Sequence, residues 1–361
     1  MTADVKTPPE PRPAISRMHP YEWEPPSASI ARQAGVPQDQ VVRFDTNTFP
    51  WAGARLDQLQ AEPLNEYPDT SYATLTEAIA QYADVPADRI TVGAGADEIL
   101  DMIAKAYIEA ATRVVMVRPT YPMFRILTEM AGGSIDEVMA VDLRLDRKAF
   151  LERARRAQLT WLCNPNNPTG ELLPPECVEE MASATEGILA VDEAYFETSG
   201  ATALPLIDRM PNVVIVRSLS KGFGLAGVRV GYALAGPAIS DTLRRVRPPG
   251  SISVVSAALG VQALTDVAGM RQRVRQITDE RARLGRELQA LGLEVRDSAA
   301  NFLLVRAGRR AAPSLLKRGL VVRTFPATSP LADYIRITVR RPEENARLIK
   351  AIGEPDARDQ G

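Results

Sequence analysis

A single histidine, His19, serves the whole 361-residue chain, and it sits in a Pro-rich N-terminal stretch. That scarcity excludes Ser/His/Asp chemistry unless His19 swings from this arm into a site. Cysteine is almost as rare. Cys163 and Cys177 cannot frame a disulfide scaffold, and no Cys/His spacing suggests a metal centre, so no metal is expected. Net charge is close to absent: 43 basic side chains against 45 acidic ones leave −2, which argues against nucleic acid or an anionic membrane as partner. Long apolar runs are missing as well. ILAV at 188–191 and VVIV at 213–216 are strand-sized, far short of a membrane span. The opening MTADVKTPPEPRPAISR has no apolar segment of the kind a secretory signal needs. A cytoplasmic enzyme acting on small molecules fits these exclusions, and the length suits a large domain plus a smaller one.

Along the chain, turn signals at PPEPRP and EPPS mark residues 1–45 as an arm and lead-in. Helical periodicity at 73–83 then precedes a strand at 89–92, a helix at 97–110 and a strand at 113–117. Further strands are expected at 159–163, 188–192, 213–217 and 228–235. They are apolar on both faces, the pattern of a parallel sheet covered by helices, so the fold class is α/β. A charged amphipathic segment at 269–291 reads as a hinge helix. Beyond it, strands at 301–306, 320–323 and 334–339, with helices at 311–318 and 342–352, make a second, α+β domain. RQRVRQ and RARLGR in the hinge segment are a solvated helix face, interspersed with Asp279, Glu280 and Glu287.

Open α/β sheets place ligands in the loops after their strands, and four such loops carry unusual chemistry. GAGADE (93–98) runs two glycines into a helix, so backbone N–H groups can hold a phosphate; by itself it reads as a tight turn, and Glu98 stands where a dinucleotide fingerprint has its last glycine. NPNNPTG (164–170) is a stiff Asn/Pro turn. Asp192 ends the apolar strand ILAVD, where a carboxylate needs a cation or donors to stay charged. SLSKGFGLAGVRVGY (218–232) surrounds Lys221 with small residues and sets Arg229 eight positions on. A desolvated lysine beside another cation has its pKa depressed toward that of a nucleophile, and an arginine with two hydroxyls makes a phosphate clamp. Together the loops supply an amine for a Schiff base, a carboxylate for a ring nitrogen, a donor for a ring hydroxyl and a phosphate cup. Those are the needs of pyridoxal 5'-phosphate.

The last loop satisfies every fixed position of the S-x-S-K-x5-G-x-R-x-G signature of class I and II aminotransferases, with NPNNPTG and VDEAY in the expected order. From about residue 18 to 352 the chain resembles the histidinol-phosphate aminotransferase family, through NEYPD, GAGADE, RPTYPMF, ANFLLVR, GLVVR and YIRITV as well. The resemblance implies a fold-type I PLP-transferase: a large domain at 46–268 with a mostly parallel seven-stranded sheet, a small domain at 269–361, and an arm at 1–45 packing on the small domain. It implies that Lys221 holds the cofactor's aldehyde and moves the substrate proton. Asp192 would keep the pyridine nitrogen protonated, Asn167 and Tyr195 would bond the ring hydroxyl, and Tyr121 would stack on the ring. The backbone of Ala96 and Asp97, with Ser218, Ser220 and Arg229, would surround the phosphate. Tyr67 would reach the neighbouring subunit's phosphate, which makes a homodimer with shared sites. Arg336 would pair with the substrate α-carboxylate, and Tyr21, Asn47 and Arg323 would serve the substrate end, Arg323 taking a second anion.

Thr48-Phe49 and Gly250-Ser251 depart from the family pattern at that end, removing an acidic and an aromatic residue. The substrates implied are therefore an amino acid or amino-alcohol phosphate and a 2-oxo acid, with histidinol phosphate or another amine as donor. Two alternatives stay open. One is a threonine-phosphate-type decarboxylase on the same scaffold. The other is an aminotransferase-like ligand sensor, for which the residues before Phe44 are too few and too Pro-rich to form a winged helix.

Overall fold

The computed structural model describes residues 10–18, 20, 21, 24–59 and 63–354; His19 lies outside them. Seven strands form the main sheet, in the spatial order Ile90–Gly93, Gly231–Ala235, Val213–Ser218, Ile188–Asp192, Leu159–Cys163, Arg113–Arg118 and Ser134–Met139. Only Gly231–Ala235 runs antiparallel to its neighbours. The sheet is thus mostly parallel and seven-stranded, as the resemblance implies.

Alternate residues of the central strands feed opposite cores. Val191, Ile215, Tyr232 and Leu234 pack on one side of the sheet, Ala190, Val214, Val216 and Ala233 on the other. Burial on both faces explains the unbroken apolar runs. Each fully buried aliphatic side chain contributes roughly 1.5–3 kcal/mol, so the strand ends are fixed points from which loops can be aimed. Helix Ala96–Tyr107 buries Ile99, Leu100, Met102 and Ile103 on the second core, which anchors the turn before it.

The expected strand at 228–235 is shorter, Gly231–Ala235, because Ala226–Val228 form a 3-10 turn and Arg229 takes a left-handed φ of 56°. The strand Ser134–Met139 has no expectation behind it. It is an edge strand, paired only to Arg113–Arg118, and its Ser134 and Met139 face solvent.

The expected hinge segment is the 24-residue helix Val267–Ala290. A second, antiparallel sheet orders Tyr334–Thr338, Phe302–Arg306 and Glu294–Val295. Val42–Phe44 pairs in parallel with Leu320–Val322, and the Arg323–Arg336 bridge joins that ladder to Tyr334–Thr338. Residues 45–48 therefore leave one sheet and cross to the loop edge of the other. Among the described residues no helix is long and apolar enough to cross a membrane.

Candidate active site

The loops at the C-terminal edge of the main sheet and the strand Tyr334–Thr338 enclose a cavity of about 800 Å³. Lys221, Asp192, Tyr195, Asn167, Tyr121, Ala96, Asp97, Ser218, Ser220, Arg229, Arg336, Arg323, Tyr21 and Asn47 all line it. Tyr67 does not: it is 93% exposed on this chain.

Strand register builds the phosphate end. Gly231 pairs with Gly93 on one side and Ser218 on the other, so three loop-bearing segments meet at one point. Helix Ala96–Tyr107 starts there behind Gly95, which has a φ of 84° and gives no side-chain cap, leaving first-turn N–H groups free to face a ligand. A Cβ at Gly231 would stand 2.4 Å from the Ala96 nitrogen, and one at Gly95 would stand 2.4 Å from Arg229 Nη2. The glycines thus keep open a cup in which backbone donors, a guanidinium and the Ser218 and Ser220 hydroxyls converge. Arg229 Nη2 donates to Asp97 Oδ2 at 3.1 Å, and the Tyr121 hydroxyl donates to Asp97 Oδ1 at 2.8 Å. Ser220 N and Ser218 Oγ hold the two serines together, the hydroxyl oxygens 2.8 Å apart.

Lys221 Nζ donates to the backbone carbonyl of Asn47 at 3.1 Å. Burial, with Arg336 and Arg229 nearby, brings its pKa down to about 8, against the pull of Asp97 and Asp192. The amine is therefore partly neutral near physiological pH, the state in which it attacks a carbonyl. Asp192 is 4% exposed and accepts from the Ala194 N–H at 2.9 Å. Burial pushes its pKa up to about 7. A carboxylate so placed stabilises a cation brought to it, and a protonated ring nitrogen is such a cation. The cup, the amine and the carboxylate fit a phosphorylated pyridine aldehyde in one donor set.

Tyr195 is buried, its phenol pushed up by desolvation, and its oxygen accepts from Asn47 Nδ2 at 3.0 Å. Arg336 donates through Nη1 to Asn167 Oδ1 at 2.8 Å and through Nη2 to the Asp45 carbonyl at 2.6 Å; its Nε is buried without a partner. At the outer end Arg323 Nη1 pairs with Glu24 Oε1 at 2.9 Å, and Tyr21 lies within reach of both charges. Thr48 lines the cavity, whereas Phe49 packs into the core and Gly250 lies outside the lining.

Sequence reasoning missed Asp45, Glu24, Asn301 and Thr338. Asn301 and Thr338 are fully buried and bond Asn47. A polar residue opening the apolar run FLLVR was the one available signal. Cys163 also lines the cavity unforeseen, its thiol pushed well up by burial.

Residues 41–352 match the family model for "Aminotransferase class I and II". A histidinol-phosphate aminotransferase of Caldanaerobacter subterraneus subsp. tengcongensis is 36% identical over 307 residues, covering 82% of this chain and 86% of the relative. The crystal structure of histidinol-phosphate aminotransferase from Sinorhizobium meliloti, in complex with pyridoxal-5'-phosphate, superposes with a TM-score of 0.83 at 28% identity, covering 95% of this chain and 96% of that one. L-threonine-O-3-phosphate decarboxylase from Porphyromonas gingivalis shares the fold, with a TM-score of 0.67 at 23% identity over 81% of this chain and 93% of that one.

Proposed function

Because the chain belongs to the class I and II aminotransferases, which work with pyridoxal 5'-phosphate, we propose that it moves an amino group from histidinol phosphate, or a related amino acid or amino-alcohol phosphate, to a 2-oxo acid such as 2-oxoglutarate. The observation that carries this reading is the placement of one cavity-facing amine, Lys221, between a buried carboxylate and a glycine-lined phosphate cup. Bound there, the coenzyme supplies an electron sink that makes the substrate Cα–H acidic.

The residues divide the work. Ala96 and Asp97 backbone donors, Ser218, Ser220 and Arg229 would hold the phosphate, with Arg229 already donating to Asp97. Asp192 would hold the ring nitrogen in its protonated form. Asn167 has its Oδ1 committed to Arg336, so its Nδ2 is the end left to donate to the ring hydroxyl, beside Tyr195. Tyr121, tethered through Asp97, would cover one ring face. Lys221 Nζ would hold the coenzyme's aldehyde end and, once freed by substrate, would take the proton from Cα. Arg336 would take the substrate's reacting-end anion, and Tyr21 and Arg323 would shape the far end; Asn47, expected there too, instead lies against Lys221 and Tyr195. Decarboxylation has the weaker support, because the decarboxylase neighbour shares the fold alone.

We also propose that residues 46–268 and 269–361 move as two bodies, with 1–45 riding on the second through the Val42–Phe44 ladder. The protein works as a homodimer in the cytoplasm, Tyr67 reaching the other subunit's phosphate site. A half-reaction screen tests the function: the coenzyme-loaded protein is mixed with histidinol phosphate, phenylalanine, tyrosine, ornithine and phosphothreonine in turn. Conversion of the coenzyme to its amine form with release of a keto product supports transamination; release of carbon dioxide with an amine product overturns it.

A further inference from the structure

Asn47 is a node of five hydrogen bonds. Its carbonyl accepts from Lys221 Nζ and from Asn301 Nδ2, each at 3.1 Å. Its N–H donates to Thr338 Oγ1 at 2.9 Å, and the same hydroxyl donates back to Asn47 Oδ1 at 3.1 Å. Its Nδ2 donates to the Tyr195 oxygen at 3.0 Å. Asn47 is 3% exposed, and Asn301 and Thr338 are sealed from solvent. The residue has a φ of 52°, a left-handed backbone that Asn adopts more readily than other residues with a side chain.

The bonding pattern has one self-consistent assignment. Thr338 Oγ1 accepts from the Asn47 N–H, so its hydrogen goes to Oδ1, and Nδ2 is turned to Tyr195. The phenol oxygen is then an acceptor, and its own hydrogen is left for the cavity. Asn301 immediately precedes the strand Phe302–Arg306, and Thr338 ends the adjacent strand Tyr334–Thr338, where Phe302 pairs with Thr338. These two side chains thus clamp a residue that touches both the amine and the phenol of the main-sheet loops.

We propose that Asn47 is the positioning residue for Lys221 and Tyr195, its left-handed backbone clamped by Asn301 and Thr338 so that the carbonyl orients the amine while the side-chain amide orients the phenol. The inference rests on reading Lys221 as the nucleophile. A carbonyl acceptor favours the charged amine and opposes the effect of burial. Losing it lowers the pH at which the amine becomes neutral.

The test uses the full chain without coenzyme or substrate: competitive labelling by an amine-reactive reagent across pH, with the extent at Lys221 read by peptide mass spectrometry against exposed Lys105. Asn47→Gly keeps the carbonyl and tolerates the backbone, so the Lys221 midpoint stays at the wild-type value. Asn47→Ala disfavours the left-handed φ and moves the midpoint down by about half a unit to one unit, as does Asn301→Leu. Thr338→Val, of the same shape, gives a second clamp variant should Asn301→Leu fail to melt cooperatively, and it moves the midpoint the same way. Midpoints equal to wild type in the folded Asn47→Ala and clamp variants overturn the proposal, as does an Asn47→Gly shift as large as that of Asn47→Ala. Neither result touches transamination, because the labelling involves no coenzyme.

Discussion

Arg336 and Asn167 are joined across the cavity, Nη1 of the guanidinium donating to Oδ1 of the amide at 2.8 Å. One residue sits on a strand of the second sheet, the other in the loop that follows Leu159–Cys163. The same guanidinium donates to the Asp45 carbonyl and retains a buried Nε without a partner. It is aimed before any substrate arrives, and its charge is met by dipoles rather than by a carboxylate.

Arg336→Lys tests what that aim is worth. Lysine keeps a charge but cannot hold Asn167, Asp45 and an anion at once, since it lacks the planar fork. The expected result is a fall in kcat/KM of about 10²-fold, carried chiefly by KM, for donor and acceptor alike. Steady-state kinetics with both substrates decides; an unchanged KM would remove Arg336 from substrate binding.

Glu24 leads to a second prediction. Its ion pair with Arg323 leaves both side chains about one quarter exposed, at 23% and 24%, so the pair contributes on the order of 1 kcal/mol or less. Glu24→Gln releases Arg323 for the distal end of a substrate. The KM for a dicarboxylic 2-oxo acid should fall about threefold to fivefold, while that for a monocarboxylic one stays put. An equal change in both would mean that Arg323 does not read the distal anion.

These contacts show where sequence reading ran out. Lys221, Asp192 and Arg229 were legible because each is tied to a strand end: Asp192 closes Ile188–Asp192, Lys221 follows Val213–Ser218 by three residues, and Arg229 precedes Gly231–Ala235 by two. Glu24 and Arg323 are 299 residues apart, and Asn47 and Thr338 are separated by 291. No local spacing encodes either pair; both arise from the ladder that lays Val42–Phe44 beside Leu320–Val322. The edge strand Ser134–Met139 was missed for a different reason, since one solvated margin interrupts the apolar run that marked its neighbours.

Asp192 makes stability depend on pH in the coenzyme-free protein. Its folded pKa, about 7, lies above the unfolded 3.8. Between those values the folded state binds more protons than the unfolded one, so stability falls as pH rises from about 4 through about 7. Asp192→Asn lacks this titration. Glu197, also raised to about 7 by burial, titrates in both proteins and cancels in the difference. Urea unfolding at pH 5 and pH 8 should show the wild type losing up to a few kcal/mol relative to the variant. Matching slopes would mean that a cation of the protein keeps Asp192 charged in the folded state, so that burial does not raise its pKa.

Tyr67 is 93% exposed and Leu64 77%, two large side chains in one short segment that no other described residue of the chain covers. In the proposed dimer this segment lies against the other subunit, and the Tyr67 hydroxyl completes a phosphate site it does not share a chain with. Subunits carrying Lys221→Ala are therefore mixed with subunits carrying Tyr67→Ala, and each is also assayed alone. A heterodimer then holds one site with both residues intact and one with neither. Random reassortment should restore about one quarter of wild-type activity, because half the dimers carry one good site of two. If Tyr67 served its own chain, every heterodimer site would carry one defect. The mixture would then do no better than the average of its parents, and size-exclusion chromatography of the same samples would report whether a dimer formed at all.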